Sequence, residues 1–277
     1  MSSVLGERRH DDRIVSLERF DGEAVVVKRY ASTDPAPIFA AMRSLWCSPF
    51  GADRLPPGLP KPIALDAQAI VMEWVDGPVL GVRGSPGRTI EQLRPLAGLL
   101  ADLHGSGVQV AHRRNPSKLL KSLARKRDRL DGPLAERFDH ALSSVIERAP
   151  DEPFLVLSHG DFSPRNVISS TRGLVLIDFD RLQMAGRGRD PGYLGAWLWA
   201  TEHLGGGEPA WQPADRFLHE YATAAAIPLP VLRETAAFYR AAGLLRIAQS
   251  WSSLAGQPEH ASTIIAEAER LVLEGGR

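Results

Sequence analysis

Two short apolar runs, "FLVLSH" from Phe154 and "GLVLIDF" from Gly173, bracket the polar loop "GDFSPRN" and constrain this chain more than any other stretch. Apolar runs of this length, bounded by Gly, Pro and polar residues, read as two short strands forming a small β pair. Polar side chains between core strands cost free energy unless they are hydrogen-bonded or used. Here the polar residues are His159, Asp161 and Asn166 in the loop, and Asp178 and Asp180 at the end of the second run. An Asp at a strand end and an Asn from the neighbouring loop supply hard oxygen donors suited to Mg²⁺. Mg²⁺ held by few protein groups completes its shell with water and phosphate oxygens. Asp161 is then free to accept a proton from an incoming hydroxyl. A base, an amide and a metal-binding carboxylate form the set that phosphoryl transfer requires.

The rest of the chain divides by periodicity. "RIVSLERF" and "EAVVVKRY" alternate on either side of Asp21-Gly22, a hairpin signal. A short helix is predicted from Pro37 to Trp46, with Ile38, Met42 and Leu45 on one side. "IALDAQAIVMEWV" predicts a second strand pair whose second member runs from Ala69 to Val75, and Asp76-Gly77-Pro78 breaks the chain. Helices follow. Thr89 with Gln92 predicts a capping box ahead of Leu93, Leu96, Leu99, Leu100 and Leu103, and Gly105 stands at the C-terminal cap. Further helices are predicted from Pro116 to Leu130, with a basic face of lysines and arginines, from Pro133 to Arg148, and from Tyr193 onward. Strands and one helix, then helices, then a β pair, then helices: segregation of this kind predicts an α+β fold in two lobes, 1–76 and 77–277.

Composition excludes several classes. Lys plus Arg and Asp plus Glu are 33 each, so no global field favours nucleic acid. No apolar run approaches the roughly 18 residues of a membrane span. The single Cys47 and an N-terminus without a signal-peptide core suit a reducing cytoplasm.

The motifs together resemble the aminoglycoside phosphotransferase and choline kinase-like family, a branch of the protein-kinase-like fold. His159-Gly160-Asp161 with Asn166 matches its catalytic loop, and "LIDFD" its metal strand. "VVVKRY" resembles its nucleotide-lysine strand, "VMEWVDG" its hinge, "LADLHGSG" the end of its first large-lobe helix, and "RDPGYLGAWL" the segment after the metal strand. The resemblance covers nearly the whole chain. It implies a bilobal α+β fold, with a small antiparallel β-sheet lobe bearing one helix and a larger, mainly helical lobe. The implied activity is transfer of the ATP γ-phosphoryl group to a hydroxyl of a small molecule such as an aminoglycoside, sugar or amino alcohol. Asp161 would be the base, and Asn166 and Asp178 would hold Mg²⁺. Asp180 would be a second metal contact or a substrate contact. Lys28 would reach the α and β phosphates. Val26, Met72 and the backbone of Glu73 and Val75 would line the adenine site. His159 and Asp190 would be structural. Ser163, where protein kinases carry Lys, argues against a protein kinase.

Two departures from the family pattern are visible. No Glu lies between Glu23 and Glu73, and Ala40 and Ala41 occupy the place where the helix would offer one to the strand lysine. Lys28 must then be held by Asp178, by the nucleotide, or by another carboxylate such as Asp34. The segment expected over the phosphates, Leu5 to Asp12, has one Gly and offers Arg8, Arg9 and His10 instead. These departures support an alternative reading, a nucleotide-binding pseudokinase without turnover. A D-x-D phosphatase reading of "DFD" leaves Lys28 and the catalytic loop without a role. For the acceptor, Trp197, Trp199, Trp211 and Trp251 are core or an aromatic wall. Glu202, Glu208, Asp215 and Glu220 are surface residues or contacts to an aminated substrate, and the basic helix is a solvated face or an anion contact.

Overall fold

The computed structural model describes residues 4–9, 12–20, 22–152, 154–255 and 257–274. Its N-terminal part is a five-stranded antiparallel sheet, β1 (Val4–Arg9), β2 (Arg13–Phe20), β3 (Glu23–Tyr30), β4 (Pro62–Asp66) and β5 (Ala69–Glu73), in the order β1-β2-β3-β5-β4. The β2–β3 hairpin is in the register that the alternation predicts; its turn residue Asp21 lies outside the described residues. Strand alternation gives the sheet two different faces. Val25 and Val27 pack outward on Ala69, Ile63 and Val71. Val26, Lys28 and Tyr30 face the other way, where α1 (Ala36–Trp46) contributes Met42 and Leu45 to the same apolar core as Tyr30 and Ile70.

Beyond β5 the chain crosses to the second lobe by hydrogen-bonding to it: Leu80 N donates to Val167 O at 2.8 Å and Ser169 N to Pro78 O at 2.9 Å. The helices are α2 (Leu93–His104), α3 (Pro116–Ala124), α4 (Gly132–Glu147), α5 (Arg189–Leu204), α6 (Gln212–Ala224), α7 (Leu229–Ala255) and α8 (Pro258–Glu274). The five leucines read as a stripe on α2 are all fully buried; burying each contributes roughly 1.5–3 kcal/mol.

The structure corrects three sequence expectations. Thr89 does not cap α2; its hydroxyl turns back to the Pro86 carbonyl, and the helix starts at Leu93. Pro95 explains the delay, since it has no N–H for the residue-91 carbonyl and fits only within a first turn. The basic helix ends at Ala124 and continues as a 3₁₀ turn, Arg127–Arg129. Like charges at i,i+4 (Lys121 with Arg125, Arg125 with Arg129) oppose further α-helix. The turn lets Leu130 bury and Arg127 pair with Asp139 at 2.7 Å. The two apolar runs do not pair with each other. β6 (Leu155–Ser158) pairs with β9 (Gln183–Gly186), and β7 (Val167–Ser170) with β8 (Gly173–Leu176). Each run needs its own partner because the loop between them is held inward rather than closing a hairpin.

Candidate active site

The loop from His159 to Asn166 hangs on one buried carboxylate. Asp190, fully buried in the first turn of α5, accepts from His159 N at 2.8 Å and Gly160 N at 2.9 Å. The same carboxylate lies 3.1 Å from His104 Nε2, whose other ring nitrogen meets the Tyr221 hydroxyl at 2.6 Å. Burial alone pushes Asp190 upward, but the His104 bond and the charge around it hold it below the usual carboxylate range. Gly160 has φ +76°, and a Cβ there would lie 2.4 Å from the Arg181 carbonyl oxygen. Only glycine fits that position. His159 is buried and braces the next segment, with Nε2 3.0 Å from Ile177 O and its ring edge-on to Phe179.

This anchoring presents Asp161, 3 % exposed, to two guanidinium groups. Arg246 Nη2 donates to Oδ1 at 2.8 Å and Arg165 Nη2 to Oδ2 at 2.7 Å. Burial raises the Asp161 pKa, but Arg246, Arg165 and Arg181 outweigh it and hold the group well below its ordinary value. Arg246 arrives from the middle of α7, which lies close enough to α5 that a Cβ on Gly192 would overlap Tyr239 Cβ at 2.5 Å. Its guanidinium also sits over the Tyr193 ring, 4.5 Å from the centroid. Asn166 gives Nδ2 to the Asp161 carbonyl at 2.9 Å, which leaves its Oδ1 for another partner.

Opposite, β3 delivers Lys28. Its Nζ is 2.5 Å from Asp178 Oδ1 and 2.7 Å from Asp180 Oδ2. Asp178 takes a left-handed backbone conformation, φ 66° and ψ 64°, uncommon for a residue with a side chain. Arg13 adds contacts of 3.5 Å to Asp178 and 3.7 Å to Asp180, and the Tyr30 hydroxyl donates to Asp180 at 2.7 Å. Burial opposes ionisation of Asp178, while Lys28 and Arg13 lower its pKa. Asp34 takes no part; it accepts from Ala36 N at 3.0 Å at the start of α1.

The structure thus brings Lys28, Asp161, Asn166, Asp178 and Asp180 to one place. Val26 and Met72 are half-buried register partners across β3 and β5, followed by Glu73 and the buried Val75. The Glu73 carboxylate points to Arg172 and to Lys61 N. Asp178, Asn166 and Asp180 are hard oxygen donors, and each Asp keeps lone pairs beyond those used by Lys28 and Arg13. The set fits Mg²⁺ by chemistry. Sequence reasoning did not single out Arg13, Tyr30, Arg165 or Arg246. Tyr30 was legible, lying two residues beyond Lys28 on the same face, and Arg13 is its hairpin partner. Arg165 lies inside the loop motif. Arg246 is 85 residues from Asp161 and carries no local signal.

A cavity of about 1700 Å³ opens beside this group, lined by Gly160, Arg165, Tyr193, Trp197 and Arg246 among others. The acidic residues considered for an aminated substrate are elsewhere: Asp215 pairs with Arg240 at 2.8 Å, Glu220 lies 4.0 Å from Arg94, and Glu202 and Glu208 are exposed. Trp199 and Trp211 stack, and Trp197 and Trp199 are buried. The side chain of Trp251, and His10, lie outside the described residues. Arg8 and Arg9 are exposed on β1; Arg9 lines the cavity and pairs with Glu7. Among the described residues, no helix is long and apolar enough to cross a membrane.

The family model described as "Phosphotransferase enzyme family" matches residues 17–239. No curated protein sequence matches significantly. Among solved structures, choline kinase from Cryptosporidium parvum Iowa II superposes with a TM-score of 0.68 at 12% identity, covering 99% of this chain and 89% of that one. A choline/ethanolamine kinase family protein from Mesorhizobium loti gives 0.67 at 14% identity, covering 97% and 87%. A spectinomycin phosphotransferase in complex with ADP and spectinomycin gives 0.62 at 12% identity, covering 99% and 93%. At these identities the likeness establishes the bilobal kinase-like fold, and the family match spans most of the chain. The chain belongs to the phosphotransferase enzyme family.

Proposed function

We propose that the chain transfers the γ-phosphoryl group of ATP to a hydroxyl of a small molecule, with Asp161 as the base. The observation that carries this reading is the 2.5 Å contact of Lys28 Nζ with Asp178, which joins the β3 strand to the turn after β8. In this reading residues 1–76 form the nucleotide lobe, and Val26, Met72 and the backbone of Glu73 and Val75 hold the adenine. Lys28 takes the α and β phosphates. Asn166 and Asp178 hold Mg²⁺, with Asp180 beside them. The bound metal supplies neutralisation of phosphate charge.

Each Asp161 oxygen has a lone pair beyond the one used by its arginine, so an incoming hydroxyl can donate to it without displacing either. As the hydroxyl oxygen bonds to the γ-phosphorus, the bond from that phosphorus to the bridging oxygen breaks and ADP leaves. The hydroxyl proton passes to Asp161. A carboxylate held this acidic is a weak base, which suits a loose transition state in which the proton leaves late. The pseudokinase reading loses its main motive, because Lys28 has two carboxylate partners without a helix Glu. To test the proposal, the protein is incubated with ATP, Mg²⁺ and a panel of hydroxylated acceptors, and products are read by mass. A gain of one phosphoryl group on an acceptor with equimolar ADP is expected. ATP binding with no product on any acceptor would favour the pseudokinase.

A further inference from the structure

The cavity beside Asp161 has an unusual charge for a chain whose formal net charge is zero. Ten cations line it, and six of them come from six separate segments: Arg114 before α3, Lys126 in the turn after it, Arg165 in the catalytic loop, Arg181 after β8, Arg189 opening α5 and Arg246 on α7. Among the described residues, its lining carboxylates are Asp12, Asp34 and Asp180, and all three are engaged. Asp12 meets Arg13 at 3.2 Å, Asp34 accepts from Ala36 N, and Asp180 holds Lys28 and Tyr30. Arg165 and Arg246 share the one Asp161 carboxylate. Arg189 is 6 % exposed, and among the described residues its Nη1 is buried without a hydrogen-bond partner, as are Arg114 Nε and Arg165 Nε.

Of the six, Arg189 is buried, Arg114, Arg165 and Arg246 are half-buried, and Lys126 and Arg181 are exposed; gathering them with fewer carboxylates is costly unless an anion completes the set. Burial and the neighbouring Arg246 and Arg181 lower the pKa of Arg114. Lys126 is lowered likewise, by burial and then by Arg181 and Arg129. His112, on the same wall, is lowered by burial and by Arg114, Lys118 and Arg189. Guanidinium groups present planar donor forks that match phosphate and carboxylate oxygens in pairs. A polycation entering this cavity would meet like charge on several sides.

Resting on the phosphotransfer reading, we propose that the acceptor is an anionic polyol: an alcohol bearing two or more negative charges, of the sugar-phosphate kind, seated on Arg114, Lys126, Arg181 and Arg189. The charge orients it, and a free hydroxyl reaches Asp161. The test loads the full-length protein with saturating ADP and Mg²⁺ and titrates it calorimetrically with fructose 1,6-bisphosphate, fructose and kanamycin. The same compounds are then assayed for phosphorylation with ATP. The bisphosphate is expected to bind at least tenfold tighter than fructose and kanamycin. Arg114→Ala combined with Lys126→Ala should weaken it at least tenfold while ADP affinity changes less than twofold. Lys118→Ala, on α3 between those two positions in sequence but outside the cavity lining, controls for general charge loss and should leave bisphosphate binding within twofold. Tighter binding of fructose or kanamycin, an unchanged double variant, or displacement of ADP by the bisphosphate overturns the proposal. Phosphorylation of kanamycin or fructose alone would overturn it and leave the phosphotransfer reading standing. Failure of ADP and Mg²⁺ to bind would instead strike that reading itself.

Discussion

Lys28 needs a carboxylate, and the helix facing it offers only Ala40 and Ala41. The partner comes instead from the turn after β8, where Asp178 and Asp180 grip the ammonium at 2.5 and 2.7 Å. Asp180 is itself fixed by Tyr30, two residues beyond Lys28 on the same strand face. One strand and one turn thus hold each other, and Lys28, the proposed phosphate contact, is positioned without a third element. Asp180→Ala should therefore raise the KM for ATP about tenfold, or about 1.4 kcal/mol, near the low end of what a charged hydrogen bond contributes. Steady-state kinetics at varied ATP would measure this, and an unchanged KM would refute the role. At this scale much was legible. Lys28, Asp161, Asn166 and Asp178 follow from spacing, because a loop and a strand end fix relative positions over a few residues. Arg246 was not, because a helix arriving from 85 residues away leaves no mark near the loop.

Among elements, α5 and α7 set the site's floor. The first turn of α5 carries Asp190, which satisfies two backbone N–H groups of the His159–Asn166 loop and one ring nitrogen of His104. Asp190→Ala leaves those donors buried without a partner. The loss should be about 3–5 kcal/mol, as for breaking a buried charged pair. At roughly 2–4 °C per kcal/mol for a chain of this size, the Tm should fall by on the order of 10 °C. Because the folded-state pKa of Asp190 is depressed, its contribution is full at neutral pH and is lost as pH falls through the folded value. The Tm gap between wild type and variant should thus narrow only below about pH 4. Thermal melts at pH 7 and in acid would show it; equal Tm values at pH 7 would contradict it. Element type was readable from periodicity, but partners were not. "FLVLSH" and "GLVLIDF" are near-uniform apolar runs, which signal burial without stating which strand lies alongside. "NVISS" and "QMAG" are too short and too polar or small to stand out, yet they supply the true partners, β7 and β9. The start of α2 depended on Pro95 rather than on a capping pattern.

Across the whole molecule, β3 from the sheet and the loop and turn of the second lobe meet at one cluster of ions. The apolar core beneath is continuous from Tyr30 and Met42 to Leu96 and Phe138. The segregation of elements along the chain made the α+β, two-lobed fold legible. The charge of the cavity beside Asp161 was not, because its cations are scattered along the chain and cancel in the total against carboxylates placed elsewhere. In the proposed reaction Asp161 takes the proton from an acceptor hydroxyl during transfer from ATP. Its most direct test compares wild type with Asp161→Asn on the acceptor identified by mass, measuring kcat and the Kd of ATP with Mg²⁺ separately. The expected result is a kcat lower by roughly 10²–10⁴-fold, the contribution of a positioned base, with the Kd of ATP altered less than threefold. An Asp161→Asn protein turning over as fast as wild type would contradict it.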